Sequence, residues 1–395
     1  MIIMKRLFTQ ENIYTIVWCL YYMQGTLYPE GSAISQGLLA LFLLMSVYYV
    51  SKVLQMLYKH KVIKAFLYLA LMFGIYGLLR LGAETTGWLR INSATDYFKE
   101  YEISILPVFA FYYFAMTKRI NGQWFYNMSF LFLLTACASF FYQEAQALLI
   151  TWRGETTNNA GYFVLSLMPV VVFLRKKPLV QYAFLLVIFY LVVCGMKRGA
   201  IVGAILGCGY FVWKSYSSAK GTRKILYILL GVGAIIASVM YFEYQLATSD
   251  YMQLRLEQTK SGDMSERENM YPEYLDYYFS HASIVEYLFG YGADGTLKNM
   301  GDFAHQDWIE TLMNQGLLGI ILLLNYWVTI IFVTIKCYIK RYSNITLILA
   351  LFIIIYFIKS MVSMSINGMT LFSTSALAYA LAAIDNQSIR KDLTD

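Results

Sequence analysis

The chain has 395 residues, of which 59% are hydrophobic and only 14% are charged, and its mean hydropathy is +0.53. Soluble domains carry about 25% charged residues, so this composition excludes a soluble protein and predicts one that is embedded in a bilayer. The net charge of +7 is spread over short loops and therefore indicates membrane orientation, not nucleic-acid binding. The five cysteines show no metal-ligand spacing and none lies in the long polar loop, so we expect no disulfide framework, no zinc and no redox role.

Twelve apolar segments approach the length of about 20 residues that a helix needs to cross a bilayer. They lie near residues 12–28, 33–51, 62–82, 102–117, 125–142, 159–174, 179–195, 199–213, 225–243, 313–335, 343–360 and 367–384. The predicted fold class is therefore an all-α integral membrane protein with about 12 transmembrane helices, the first an uncleaved anchor. Residues 1–243 are expected to hold helices 1–9, residues 244–311 a large polar loop, and residues 312–395 helices 10–12 and a short tail.

The charges between these segments predict which ends of the helices face the cytoplasm. If both termini lie inside, most of the 31 Lys and Arg residues fall in short inside loops, as the positive-inside rule requires. The 244–311 loop is then predicted to lie outside. It has twelve acidic residues against four basic ones. A phosphate bound there must therefore be held by individual arginines and not by a diffuse basic surface.

Eleven basic residues lie outside, where membrane orientation does not explain them: Arg80, Arg90, Lys99, Arg153, Lys197, Arg198, Arg255, Lys260, Arg267, Lys298 and Lys359. Arg198, in the sequence CGMKRGAIVG, lies at a tip between two apolar segments. It either reaches lipid headgroups or presents its guanidinium fork to an outer cavity, where the fork suits pyrophosphate. Arg153 precedes a helix that Asn158 or Asn159 is expected to cap. It is either a solvated partner of Glu155 or a second anion contact beside the helix N-terminus.

The late part of the polar loop supplies an aromatic helix. From Glu266 onwards we predict an amphipathic helix that is broken near Pro272 and has Arg267 at its start. Its aromatic face is either protein core or a platform on which sugar rings stack. That face comprises Tyr271, Tyr274, Leu275 and Tyr278.

His305, one of three histidines, is predicted to begin the helix that returns to the bilayer. Asp307 and Glu310 are expected to turn away from the packed face of this helix, which carries Trp308, Ile309, Leu312, Gly316 and Gly319. The two glycines allow a neighbouring helix to approach closely. The imidazole either hydrogen-bonds the loop to the helix or acts as a base that deprotonates a hydroxyl.

In this order, these features resemble the bacterial O-antigen polymerase and O-antigen ligase superfamily of multispanning C-type glycosyltransferases. The 153–159 segment is similar to its arginine–asparagine loop, and Lys197-Arg198-Gly199-Ala200 to its Ser-Arg-Gly hairpin, although Lys197 replaces the usual serine. The 266–319 stretch is similar to its late loop and returning helix, with Gln306 where asparagine is common. The resemblance covers roughly residues 150–335.

The resemblance implies a glycan donor on undecaprenyl pyrophosphate, attacked at its anomeric carbon by an acceptor hydroxyl at the periplasmic face of the bacterial inner membrane. Neither a metal nor a nucleotide sugar is required. It implies that His305 is the base, and that the pyrophosphate is bound by Arg153, Arg198 and Arg267. Further contacts with the substrate are expected from Lys197, Arg255, Arg80, Asp307 and Glu310.

Three functions fit the sequence to different degrees. The first is a polymerase that joins lipid-linked repeat units into an O-antigen, capsule or exopolysaccharide, and the second a ligase that moves the chain to a lipid A core or another acceptor. A flippase for lipid-linked oligosaccharides is the candidate from another class, but the unexplained cations lie at the outer edge and not inside the spans. The expected partners are the lipid-linked donor and acceptor, the bilayer, a chain-length regulator and a flippase.

Overall fold

The computed structural model describes residues 9–56, 63–85, 94–150, 158–218, 221–260, 267–363 and 372–394. Within these residues every regular element is a helix, which confirms the all-α prediction. The first ten are α1 (Gln10–Tyr22), α2 (Ala33–Leu54), α3 (Lys64–Thr85), α4 (Ala94–Met116), α5 (Gly122–Ile150), α6 (Ala160–Leu165), α7 (Met168–Val171), α8 (Pro178–Cys194), α9 (Arg198–Ser218) and α10 (Thr222–Thr248). The others are α11 (Asp250–Lys260), α12 (Arg267–His281), α13 (Ile284–Phe289), α14 (Gly295–Met300), α15 (Asp307–Ile339), α16 (Ser343–Val362), α17 (Ser373–Asp385) and α18 (Gln387–Thr394).

Within the described residues, five helices are long and apolar enough to cross a membrane, namely α2, α3, α5, α15 and α16. Shorter apolar helices lie at Ile105–Met116, Ala160–Leu174 and Pro178–Cys194. Within the described residues, each of the twelve predicted segments overlaps a helix or a group of short helices, although the first helix ends at Tyr22 and residues 367–371 lie outside the described part. The chain is thus a helical membrane protein, while the number of twelve crossings and their direction stay predictions.

The 159–174 segment is not the single helix that its apolar run predicts. It consists of α6, α7 and a 3-10 turn at Val172–Leu174, and it is buried from residue 160 onwards. The break lies at Ser166, whose hydroxyl donates to the carbonyl oxygen of Phe163 at 2.6 Å, and the second residue of α7 is Pro169, which has no N–H to donate. The hydroxyl of Ser373 donates to the carbonyl oxygen of Ser166 at 2.7 Å. The break is tolerated in an apolar core because its polar groups are hydrogen-bonded.

α17 occupies the centre of the apolar core. Its residues are buried from Ser373 to Ala383, and it packs against α4, α7 and α16. A helix that is apolar all round must be covered on all sides, as this one is. Phe125 stacks on Phe173 with ring centroids 3.9 Å apart, and the ring of Tyr379 lies edge-on to both. This packed centre fixes the positions of α6 and α16, whose ends contribute to the candidate site.

Basic side chains of three predicted inside loops are held by oxygen atoms of neighbouring helices. Arg119 donates to the side chain of Gln10 at 2.7 Å, and Arg175 to the carbonyl oxygen of Leu393 at 2.7 Å. Arg390 donates to the hydroxyl of Tyr342 at 2.6 Å and to a carbonyl at the end of α17. Helix C-terminal carbonyls carry partial negative charge, which favours cations at these positions.

α15 is divided by a kink at Gly316, where φ is +62°. Residues 307–315 form a short leg and residues 317–339 a long apolar leg. A Cβ atom at Gly316 would lie 2.5 Å from the amide nitrogen of Gly290, and one at Gly290 would lie 2.4 Å from the carbonyl carbon of Asn314. Only glycine permits both the left-handed backbone and this contact between two main chains. The predicted close approach at Gly316 is confirmed, and its partner is the C-terminal end of α13.

Candidate functional site

The late part of the polar loop folds into three short helices that cover the short leg of α15. Tyr274, Tyr278, Ala304, Ile309 and Met313 form the buried centre of this unit. α12 runs without interruption from Arg267 to His281, so the predicted break near Pro272 is wrong. Residues 267–306 thus form a packed unit with a small core against α15, and this unit is called the cap below.

The two most buried tyrosines of α12 act as packing residues and hydrogen-bond donors. Tyr274 donates to the carbonyl oxygen of Asp302 at 3.0 Å, and Tyr278 to that of Tyr287 at 2.7 Å. Burial raises the pKa of both phenols to about 12, so both stay protonated donors at neutral pH. For these two residues the structure favours the core alternative over a sugar platform.

Glu310 joins the cap to the short leg. Its Oε1 accepts a 2.6 Å hydrogen bond from the backbone N–H of Ala304, and its Oε2 accepts from the hydroxyl of Thr296 at 2.8 Å and from the amide of Asn314 at 3.2 Å. The Asn314 side-chain oxygen in turn accepts from the N–H of Gly295 at 2.7 Å. Glu310 is 6% exposed. Three buried donors share this one carboxyl group, so it fixes residues 295–304 on α15.

The prediction that Asp307 and Glu310 turn away from the packed face is wrong. Both side chains are buried, Asp307 with 2% exposure. The physical reason is that the short leg is covered on more than one side, by the cap and by α16. The indole N–H of Trp308 donates to the hydroxyl of Ser360 on α16 at 3.3 Å, which marks that second contact.

His305 lies in a strained loop immediately before α15. The helix begins at Asp307 and not at His305 as predicted, because Gln306 is the N-cap and accepts from the N–H of Ile309 at 3.0 Å. His305 itself has a φ of +53° and a half-buried side chain. A left-handed backbone at a non-glycine residue costs about 1–3 kcal/mol, and such strain clusters at functional sites. The neighbours on both sides of His305 are hydrogen-bonded, so the strained conformation is held from two directions.

Arg80 connects the cap to α3. Its Nη1 lies 2.6 Å from Oδ1 of Asp294, and both side chains are almost completely buried. The Tyr76 hydroxyl donates to the same carboxylate at 3.3 Å and accepts from the N–H of Asp294 at 3.2 Å. Arg80 therefore has a protein carboxylate as its partner in this structure, and the geometry gives it a tethering role. Its predicted contact with substrate stays a prediction.

The turn between α8 and α9 carries Lys197 and Arg198 as half-buried residues. Asn158 holds this turn, because its backbone N–H donates to the carbonyl oxygen of Gly195 at 2.8 Å. Its side-chain oxygen accepts from the N–H of Ala160 at 2.8 Å, and its amide donates to Phe140 and Glu144 of α5. Of the two asparagines proposed as the cap of α6, Asn159 occupies the N-cap position without a side-chain bond, and Asn158 supplies the capping hydrogen bond.

Lys359 lies where this turn meets the short leg of α15. The residues whose charges act on its ammonium group are Asp307 and Lys197, and the ammonium lies 4.5 Å from the ring centroid of Tyr162. Two predicted site residues, Lys197 and Asp307, are thus brought together around a lysine that the sequence left without a role. The sequence marked Lys359 only as an outer basic residue that orientation does not explain. In the sequence, nothing distinguished Tyr162 as a site residue except its position four residues after Asn158.

Three predicted anion-binding residues fall wholly or partly outside the described residues. Arg153 lies outside them altogether. Arg255 and Arg267 belong to α11 and α12, and their side chains are outside the described part of the structure. Among the residues that are described, no group of three or more His, Cys, Asp or Glu side chains is placed to hold a metal ion.

A packed polar cap on one end of a set of apolar helices defines a multi-pass membrane protein with a site at the edge of its helices. Residues 183–324 match the family described as O-antigen ligase. The match confirms the resemblance of this part of the chain to the O-antigen polymerase and ligase superfamily, and it supports a role in polysaccharide and lipopolysaccharide synthesis at a membrane. No curated protein matches the chain. The matched range contains Arg198 and His305, whereas Arg80, Tyr162 and Lys359 lie outside it.

Proposed function

We propose that the protein is a membrane glycosyltransferase that polymerises lipid-linked repeat units of a surface polysaccharide, an O-antigen, capsule or exopolysaccharide. The observation that carries the proposal is the position of His305. It stands inside the family match, in a left-handed loop that Glu310 and Gln306 hold from both sides. A residue held in this way is pre-organised for a single geometry, which is what a catalytic base requires.

The chemistry is the transfer of a glycan from undecaprenyl pyrophosphate to a hydroxyl group. The acceptor oxygen forms a bond to the anomeric carbon of the donor, and the bond from that carbon to the pyrophosphate oxygen breaks. His305 takes the proton of the hydroxyl, and undecaprenyl pyrophosphate leaves with the electron pair. Arg198, with Arg153 and Arg267, stabilises the negative charge of the leaving group, as a fixed cation does without a metal or a nucleotide sugar.

The site is proposed to face the periplasm. The support is the distribution of Lys and Arg, because the positive-inside rule favours the cytoplasm for the residues around Arg119, Arg175 and Arg390. The cap then lies at the outer surface of the inner membrane, where the polyprenyl tail can stay in the hydrocarbon while its head group reacts. Flippases and chain-length regulators are the partners that such a reaction needs.

A ligase is the second candidate, and the description of the matched family favours it. Ligase and polymerase require the same base and the same cations, because the donor is the same. They differ in the acceptor, which is another repeat unit in one case and a lipid A core in the other.

The proposal is tested by reconstituting the purified protein in liposomes with a lipid-linked repeat unit and resolving the products on a gel. A ladder of products is the result expected for a polymerase. Transfer that occurs only after a lipid A core is added would replace the polymerase with the ligase. Movement of the donor across the bilayer without transfer would contradict both and support a flippase.

A further inference from the structure

Lys359 is a largely buried charged residue that has no carboxylate paired with it among the described residues. Lys359 lies in the last turn of α16 and is 9% exposed. Among the described residues no hydrogen bond or ion pair of Lys359 is seen, and its ammonium group lies 4.5 Å from the ring centroid of Tyr162. The charged residues that act on it over a longer distance are Asp307, which attracts it, and Lys197, which repels it.

Such an arrangement is unfavourable unless something else compensates it. An ammonium group has three donors, and a cation–π contact offsets only part of the free-energy cost of burying it away from acceptors. A buried lysine at this cost is retained where its charge is used. An anion placed between Lys359 and the turn at Lys197 would supply the missing acceptors and reduce the repulsion between the two lysines.

We propose that Lys359 binds a phosphoryl oxygen of the polyprenyl-pyrophosphate donor, with Tyr162 holding its ammonium group in position. The proposal rests on the proposed function, because it assumes that donor. It adds an anion-binding residue from α16 to the arginines of the loops, and it lies outside the region that matches the family. Lys359 lies in the last turn of α16, so its apolar stem adjoins the apolar part of the helix and its charge lies at the helix end.

The alternative is a structural role, in which Lys359 only neutralises the buried Asp307 and the C-terminal end of α16. The two roles predict different properties for a variant in which the charges of both Lys359 and Asp307 are removed. If Lys359 exists to neutralise Asp307, a double variant that lacks both charges regains the properties of the wild type. If Lys359 binds phosphate, the double variant still lacks the phosphate contact.

The test measures binding of farnesyl pyrophosphate and farnesyl monophosphate to the full-length protein in nanodiscs. We expect Lys359→Met to weaken binding of farnesyl pyrophosphate about 10- to 100-fold, the loss typical of one charge-assisted hydrogen bond. Lys359→Arg should retain part of the affinity. Lys336→Met removes an exposed lysine of α15 and serves as the matched control, with an unchanged dissociation constant. The same comparison is made in a background that lacks the charge of Asp307. The double variant Lys359→Met/Asp307→Asn should bind farnesyl pyrophosphate about 10- to 100-fold more weakly than Asp307→Asn. This second comparison tests the proposal even if Lys359→Met alone does not fold.

The outcomes separate this inference from the proposed function. If the wild type binds neither probe, the donor class and hence the proposed function are contradicted. If the wild type binds farnesyl pyrophosphate and Lys359→Met binds it equally well, only the role of Lys359 is overturned. Equal affinity of the double variant and Asp307→Asn would likewise overturn it in favour of charge neutralisation.

Discussion

Glu310→Ala is expected to reduce the rate of glycan transfer at least about 100-fold while donor binding changes little. The substitution leaves the N–H of Ala304, the hydroxyl of Thr296 and the amide of Asn314 without their shared acceptor. Each buried donor that loses its partner costs about 1–3 kcal/mol, so residues 295–304 are expected to detach from the short leg of α15. His305 follows Ala304 directly and loses its position, and a displacement of about 1 Å is enough to cost about 100-fold in rate.

The measurement compares initial transfer rates and donor dissociation constants for wild type and variant. Glu286→Ala is the matched control, since Glu286 is also a hydrogen-bonded glutamate of the cap. The hydrogen bonds from Ser283 lower the pKa of Glu286, but its carboxylate only closes the capping box of α13 at the surface. Its removal should leave the rate within a few-fold of wild type. A wild-type rate in Glu310→Ala would show that the anchored loop does not position the base.

Arg80→Ala is expected to lower the free energy of unfolding by about 3–5 kcal/mol, the usual loss when one partner of a buried ion pair is removed. Asp294 would keep its charge in a site that is 2% exposed. The double variant Arg80→Met/Asp294→Asn removes both charges and should recover most of the loss. Thermal unfolding in detergent, with and without denaturant, provides the measurement.

Arg119→Ala is the control for this prediction. Arg119 is 37% exposed and its Nη1 lies 3.9 Å from Oε2 of Glu11, so the pair is worth about 1 kcal/mol or less. If Arg80→Ala unfolds like the wild type but binds the donor more weakly, the tethering role is contradicted. The substrate contact expected from the sequence would then be the better account of Arg80.

The sequence was sufficient to predict the helices, because an apolar run of membrane-spanning length has few alternatives to a helix. It was not sufficient for their interruptions. The break at Ser166 depends on Ser373, which is more than 200 residues away, and no local pattern reports that contact. The opposite error occurred at Pro272, where the local pattern favoured a break and α12 continues.

The same distinction applies to the site. His305 and Arg198 carry recognisable local motifs, and the matched region contains both. The roles of Glu310 and Lys359 depend on contacts between distant parts of the chain. Helical periodicity predicted that Glu310 points away from the packed face, because such a prediction assumes that only one face of a helix is covered. In the structure the cap and α16 cover the short leg on more than one side. Lys359 is a single charge in an apolar run, and only the fold brings Tyr162 and Asp307 beside it.

The most direct test of the account is the release of undecaprenyl pyrophosphate from a lipid-linked donor in the presence of acceptor, measured for wild type and His305→Ala in liposomes. A general base contributes about 100- to 10,000-fold to a rate. We therefore predict a loss of that size in His305→Ala, with a donor dissociation constant within about twofold of wild type, since the cations that hold the pyrophosphate are unchanged. Full release of undecaprenyl pyrophosphate by His305→Ala would contradict the assignment of His305 as the base.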